Sequence, residues 1–224
     1  MSPNAAPRAR RSRIGDPLPT NFYDRDTALV ARELLGAVLV SRVDGRQAIG
    51  RVVEVEAYLG PDDPACHSAA GLTVRNRHLH GAPGTAYVYR IYGMHWCVNA
   101  VTREVGYGSA VLIRALELLD GVGVVRDRRK GVGRDRDLTN GPGKLCQAFG
   151  ITGEHDGCRL DRGDLRLLRG DPVDPSDIIV TARIGISKAV DWPLRYFVRG
   201  NASVSRPPKR LKEWTWASAP TVGR

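Results

Sequence analysis

Two glutamates alternate with small apolar residues in the run Val52-Val53-Glu54-Val55-Glu56-Ala57-Tyr58. On an extended chain this spacing puts Glu54, Glu56 and Tyr58 on one face, with the two glutamate α-carbons roughly 6.5–7 Å apart. Spacing alone leaves two readings open. The pair could work as acid and base on a glycosidic bond, or one carboxylate could be catalytic and the other a solvated or salt-bridged strand residue. Carboxylates on one strand approach a substrate from one side, whereas an inverting pair must flank the bond, and this disfavours the first reading. The region that begins here is rich in rings. Tyr58, Tyr87, Tyr89 and Tyr92 are four of the seven tyrosines, and His67, His78, His80 and His95 are four of the five histidines. Rings beside a cationic surface offer a platform on which nucleic-acid bases stack. Tyrosine is also a good strand former, so each ring taken singly has an ordinary explanation. Tyr87 and Tyr89 share a strand face. Tyr92 precedes Gly93 at an expected hairpin tip, where a large ring either packs under the turn or wedges between bases.

The charge supports a polyanionic partner. The 224 residues carry 34 Lys+Arg against 24 Asp+Glu, a formal net charge of +10. Only five of the 34 are lysine, and arginine is the better bidentate partner for phosphate. Hydrophobic content of 42% and charged content of 26% exclude a wholly disordered chain, a coiled coil and a collagen-like fibre. No apolar run approaches the ~20 residues that span a bilayer, and the longest candidate, Ala28 to Val40, contains Arg32 and Glu33. The basic N-terminus is followed by no apolar stretch, so neither secretion nor a membrane is expected. The four cysteines, Cys66, Cys97, Cys146 and Cys158, form no C-x-x-C pair and are expected reduced. A zinc set drawn from Cys66, His67, His78, His80 and Cys97 matches no familiar finger spacing, so no metal is expected.

These residues need elements to hold them. Residues 1–15 read as a disordered basic arm, 16–205 as the folded domain and 206–224 as an irregular tail. Thr27 can cap a helix that runs to Leu35 and ends at Gly36. Ala37–Ser41 and Ala48–Tyr58 read as strands. Residues 59–85 form a long polar connection, of the kind that is usually functional. Ala86–Tyr92 and Met94–Val101 form a hairpin, and Ala110–Leu116 is a further strand. The Arg- and Gly-rich segment 121–137 is expected to be exposed. A short helix follows over Gly143–Phe149, and Ile178–Ile184 and Arg195–Arg199 are later strands. The fold class is therefore mixed α/β of the α+β kind. It is a single compact domain with a mainly antiparallel curved sheet, a protruding hairpin and surrounding helices.

Two motif fragments fail on context. Gly121-Val122-Gly123 lacks the flanking amphipathic helices of a helix-hairpin-helix turn. Gly143-Lys144 has Leu138 where a phosphate-binding loop requires glycine, and Leu145 where it requires Ser or Thr.

The stretches VVEVEAYLGPDDPACHS (52–68), TVRNR (73–77), PGTAYVYRIYGMHWCVN (83–99), AVLIRALE (110–117) and GPGKLCQAFGI (141–151) together resemble the alkyladenine (3-methyladenine) DNA glycosylase family, from about residue 20 to about residue 204. The resemblance implies a compact mixed α/β fold with no metal and no organic cofactor. It implies a partner in double-stranded DNA containing damaged purines, met by a monomer. Glu56 would be the general base that deprotonates the attacking water, and Arg114 the basic residue beside it. Tyr58 would form one wall of the base pocket and Tyr89 the opposite stacking wall. His67 would stack on or hydrogen-bond the flipped base, and Asn99 would obstruct the amino group of guanine at the pocket floor. Tyr92 would fill the gap left in the duplex, and Arg75 and Lys144 would contact phosphates. The implied reaction is excision of 3-methyladenine-type bases, with hypoxanthine and ethenoadenine as further substrates, leaving an abasic site. Such a protein is expected in the cytoplasm with the nucleoid in a bacterium, or in the nucleus of a eukaryote. The sparse lysines, none in the aromatic cluster, argue against Schiff-base lyase chemistry. The alternative from another class is a non-catalytic nucleic-acid-binding protein that keeps the stacking platform. The co-occurrence of Glu56 and Arg114 counts against it.

Overall fold

A computed structural model describes residues 13–205. Most of the expected basic arm and all of the expected tail lie outside those residues. The final residues of the arm, from Arg13, are bonded rather than loose: Gly15 N–H donates to the Arg169 carbonyl and Arg13 N–H to the Asp171 carboxylate.

The described chain builds one eight-stranded antiparallel sheet. Its strands are β1 (Val38–Ser41), β2 (Ala48–Tyr58), β3 (Ala86–Ile91), β4 (His95–Thr102), β5 (Ser109–Asp120), β6 (Leu165–Leu168), β7 (Ile178–Thr181) and β8 (Arg195–Val198). The main order is β3-β4-β5-β2-β1-β6. β2 is the axis. One edge pairs with β5, while the other pairs with β1 through residues 48–51 and with β8 through residues 54–56. Its apolar/acidic alternation therefore runs down the middle of a sheet covered on both sides, and Val52 to Ala57 are buried without exception.

The two faces have different covers. On one, α2 (Thr27–Leu34) and α4 (Pro142–Phe149) insert Val30, Ala31, Leu34, Leu145, Ala148 and Phe149 against Val55, Ala57, Val98, Val111 and Ile113. On the other, the connection 59–85 brings Cys66 and Leu79 over Tyr87, Val101 and Ala110, with Tyr58 and Tyr89 at the edge of this smaller cluster. A bulge in the β2–β5 register around Val52–Val55 turns Val53 away from the main core into a third cluster with Ala115, Ile179 and Phe197.

Several boundaries differ from expectation. Asp26, not Thr27, caps α2, its carboxylate accepting from Leu29 N–H at 2.9 Å, which leaves Thr27 buried against Thr102. A short helix α1 (Thr20–Tyr23) and strand β6 carry too little periodicity to be read from four residues each. The segment 121–137 is not a plain exposed loop: Val122–Arg128 forms helix α3, and Asp135–Asp137 a 3-10 turn. The helix is held by one fully buried side chain, Val125, and an Arg126–Asp135 ion pair folds the segment back on itself. Among the described residues no helix is long and apolar enough to cross a membrane.

Candidate active site

Glu56 sits on β2 with no solvent exposure, directly beneath a cavity. Three groups hold its carboxylate. Oε2 accepts from the Tyr58 hydroxyl at 3.0 Å and lies 3.2 Å from Nη1 of Arg114, and Oε1 accepts from the Ile184 N–H at 2.7 Å. Burial pushes the Glu56 carboxyl up from its ordinary range. Arg114, the Ile184 N–H and the Tyr58 hydroxyl oppose that rise without cancelling it.

The second carboxylate has a different environment. Glu54 accepts from Arg114 Nε at 3.0 Å, from Arg195 Nε at 2.7 Å, and from both the N–H and the hydroxyl of Ser205. It is the salt-bridged member of the pair, and no face of it is left for a substrate. Arg114 links the two glutamates, one edge of its guanidinium on each.

Above Glu56 opens a cavity of about 1270 Å³ between the 64–76 loop, the β3–β4 hairpin, the start of α4 and the 184–188 loop. That exceeds the range for free small-molecule pockets and suits a groove that takes part of an extended ligand. Apart from Glu56 itself, every residue to which the family resemblance assigned a role lines it. Tyr58, Arg114 and Ile184 are the lining residues that touch Glu56. Asn99, from β4, is buried at the floor, with Nδ2 donating to the Tyr87 carbonyl at 2.9 Å.

The rings do not all face one another. His67 meets Tyr89 edge-on with ring centroids 4.5 Å apart. Nothing can enter between rings already in contact, so these two form one wall, while Tyr58 lines the same cavity with the Arg183 guanidinium carbon 4.8 Å from its ring centroid. Tyr87, whose role the sequence did not single out, organises that wall. Its hydroxyl lies 2.8 Å from His67 Nδ1, its ring stacks on Tyr89 at 5.3 Å, and its carbonyl holds Asn99. The Y-V-Y alternation placed Tyr87 beside Tyr89 but gave no sign of the histidine contact. Burial, then the charge of Arg75, pulls the His67 imidazole below its usual range, which leaves it neutral near pH 7.

Tyr92 projects from the hairpin tip, 84% exposed. Tyr92 and Gly93 both have left-handed backbone (φ 49° and 68°), as a type I′ turn requires, and Met94 N–H closes the turn on the Ile91 carbonyl. For a bulky residue this conformation costs about 1–2 kcal/mol, strain that an exposed ring does not recover by packing.

The remaining basic residues rim the cavity. Arg75 donates to the Arg90 carbonyl at 2.9 Å, which ties the 59–85 connection to the hairpin. Lys144, in the first turn of α4, donates to Asn140 at 2.8 Å. Arg129, at the end of α3, and Lys188 also reach the lining. Two lysines therefore stand at the cavity, contrary to what their distance in sequence from the aromatic cluster suggested. The five residues weighed as a zinc set do not converge. Cys66 lies against the Gly108 carbonyl, His78 pairs with Asp156, and His80 faces the Gly106 carbonyl.

A family model described as "Methylpurine-DNA glycosylase (MPG)" matches residues 21–202. Three similar relatives all carry the name "Putative 3-methyladenine DNA glycosylase". One from Methanoculleus marisnigri is 50% identical over 192 residues, covering 84% of this chain and 98% of its own. One from Salinibacter ruber is 48% identical, covering 85% and 97%. One from Carboxydothermus hydrogenoformans is 45% identical, covering 84% and 98%.

Proposed function

The chain belongs to the methylpurine-DNA glycosylase family, and from that premise we propose that it extrudes alkylated purines of the 3-methyladenine type from duplex DNA and hydrolyses their N-glycosidic bond. It is a DNA glycosylase, a hydrolase of N-glycosyl bonds. The finer assignment covers the lesion class, the residue roles and action as a monomer. One observation supports it most: a buried carboxylate, Glu56, hydrogen-bonded to the tyrosine and ion-paired with the arginine that line an aromatic cavity.

In the proposed mechanism Tyr92 occupies the space vacated by the extruded nucleotide, as an exposed ring on a strained tight turn can do. The base lies between Tyr58 on one side and the His67–Tyr89 wall on the other. Extrusion costs a few kcal/mol and is least for a damaged or mispaired base, which contributes to selectivity. A purine methylated at N3 or N7 is cationic, which favours the faces of electron-rich rings. It also departs as a neutral base, so no proton need be delivered to it. Water adds its oxygen to C1′ as the C1′–N bond breaks and the bonding pair leaves with the base. Glu56 takes the proton released from that water. Its carboxylate also opposes the positive charge that builds on the sugar. The raised Glu56 carboxyl suits a base that must accept a proton near neutral pH. Arg114 holds the carboxylate ionised and oriented. The products are a free purine and an abasic site.

Arg75, Lys144 and Lys188 stand where phosphates flanking the lesion would pass. Hypoxanthine and ethenoadenine, flat but neutral, are further candidates for the same slot; unlike the cationic lesions, they must take up a proton from solvent to leave as neutral bases. The test is single-turnover release of free base from duplexes containing 3-methyladenine, 7-methylguanine, hypoxanthine or ethenoadenine. Release of the methylated purines well above the rate for undamaged DNA is expected, and rates no higher than for undamaged duplex would refute the reading. Borohydride trapping distinguishes a lyase: a covalent DNA adduct through Lys144 or Lys188 would contradict simple hydrolysis.

A further inference from the structure

We propose that Asp63 and Arg183 form a clamp that presses two loops onto Glu56, which makes Arg183 a positioning residue for base excision; the inference rests on the reading of Glu56 as the general base. Both side chains are wholly buried. Arg183 grips Asp63 with two nitrogens, Nη2 to Oδ1 at 2.8 Å and Nη1 to Oδ2, and Nη1 also donates to the Ala57 carbonyl at 3.0 Å. Asp63 in turn accepts from Leu59 N–H and Ala65 N–H, each at 3.1 Å, which fixes the loop that leaves Tyr58. The guanidinium carbon stands 4.8 Å from the centroid of the Tyr58 ring.

The consequence lies one residue away on each side. Ile184, next to Arg183, donates its N–H to Oε1 of Glu56, and Tyr58, next to Ala57, donates its hydroxyl to Oε2. Each carboxylate oxygen is thus held by a group that the clamp anchors, across 120 residues of sequence. Stability alone is a poor reason for this arrangement, because a buried ion pair can often be replaced by apolar side chains of similar volume without loss. A planar fork on a carboxylate does supply fixed geometry, and that is what a general base requires.

Loosening the clamp should be visible in the pH profile. The groups facing Glu56 are Glu54 and Tyr58 on β2, Arg114 on β5, Tyr89 and Cys97 from β3 and β4, and Arg195 from β8 through Glu54. Of the groups that favour the ionised carboxylate, two are hydrogen-bond donors anchored by the clamp. Weakening them moves the Glu56 carboxyl further up.

Two variants test this on the full chain, with Glu56→Gln alongside and methylated duplex DNA as the probe. Arg183→Lys keeps the charge and loses the fork. The double variant Asp63→Asn/Arg183→Met removes the pair without stranding a charge and keeps an acceptor for the loop N–H groups. The expected result for both is a roughly ten- to hundredfold fall in single-turnover rate, as small displacements of reacting groups produce. The acid limb of the pH profile should also move upward, with affinity for lesion duplex within about twofold. If Glu56→Gln is inactive while both clamp variants keep the parent's rate and acid limb, the clamp is overturned and the general base stands. A rate loss with an unmoved acid limb, the mark of a merely loosened fold, also overturns it. Excision by Glu56→Gln would remove the base reading and the clamp with it.

Discussion

The hydroxyl of Tyr58 lies 3.0 Å from Oε2 of Glu56, so a ring that lines the cavity is bonded to the carboxylate beneath it. The bond joins two proposed functions, recognition of the flipped base and activation of water. Tyr58→Phe separates them, keeping the ring and removing the donor. The hydroxyl favours ionised Glu56, so its loss raises the carboxyl further. A general base works only when ionised, so excision is present above the Glu56 pKa and is lost as pH falls through it. Because burial has already raised that pKa, the parent's acid limb should lie above the ordinary carboxylate range. In Tyr58→Phe the limb should move up by about one pH unit, equivalent to ~1.4 kcal/mol, with lesion affinity unchanged. A pH-rate profile under single-turnover conditions checks both points.

Arg114 is the cation between two buried carboxylates. Arg114→Met leaves Glu54 with Arg195 and Ser205, but strips Glu56 of its one ion-pair partner among the described residues. Breaking a buried pair in this way typically destabilises by about 3–5 kcal/mol. The variant should unfold at markedly lower urea concentration, and its residual excision should require higher pH. Unfolding midpoints equal to the parent's would show that the arginine contributes little.

Tyr92 makes the opposite prediction. At 84% exposure it contributes little to the fold, so Tyr92→Ser should change stability by no more than about 0.5 kcal/mol. Affinity for lesion and abasic duplexes should fall about tenfold, within the ~1–3 kcal/mol that a ring stacked on a base contributes. Equal affinities in a titration by fluorescence anisotropy would exclude the wedge.

Arg75 and Lys144 are tested by salt. If each contacts a phosphate, Arg75→Ala and Lys144→Ala should each reduce the slope of log affinity against log salt by about 0.9, with selectivity among lesions retained. An unchanged slope would assign that side chain to the contact it makes within the protein, Arg75 with the Arg90 carbonyl or Lys144 with Asn140.

What could be read from the sequence follows the range of the interactions. The Val-Glu-Val-Glu-Ala-Tyr alternation fixed the shared face of Glu54, Glu56 and Tyr58, because strand periodicity is local. The Tyr92-Gly93 pair marked a tight turn for the same reason, since few residues adopt left-handed backbone. Asp63 and Arg183 carried no such signal. Their pairing spans 120 residues and appears only when β7 and β8 return alongside β2. The division of labour between Glu54 and Glu56 was hidden in the same way, because Arg195 and Ser205, which saturate Glu54, lie 141 and 151 residues away. The Arg- and Gly-rich composition of helix α3 suggests solvent, while a single buried valine, ion pairs such as Arg126–Asp135 and the bonds of Arg128 to the Val43 and Ala148 carbonyls hold it.

The most direct test of the central claim is release of free purine from methylated duplex DNA by Glu56→Gln, measured in a single turnover beside the parent. Glutamine preserves volume and can still bond Arg114 and Tyr58 but cannot accept water's proton. The account predicts parent-like binding to lesion DNA with excision reduced by about 10²–10⁴-fold, the range that a positioned general base contributes. Release of purine by Glu56→Gln at a rate near the parent's would contradict it.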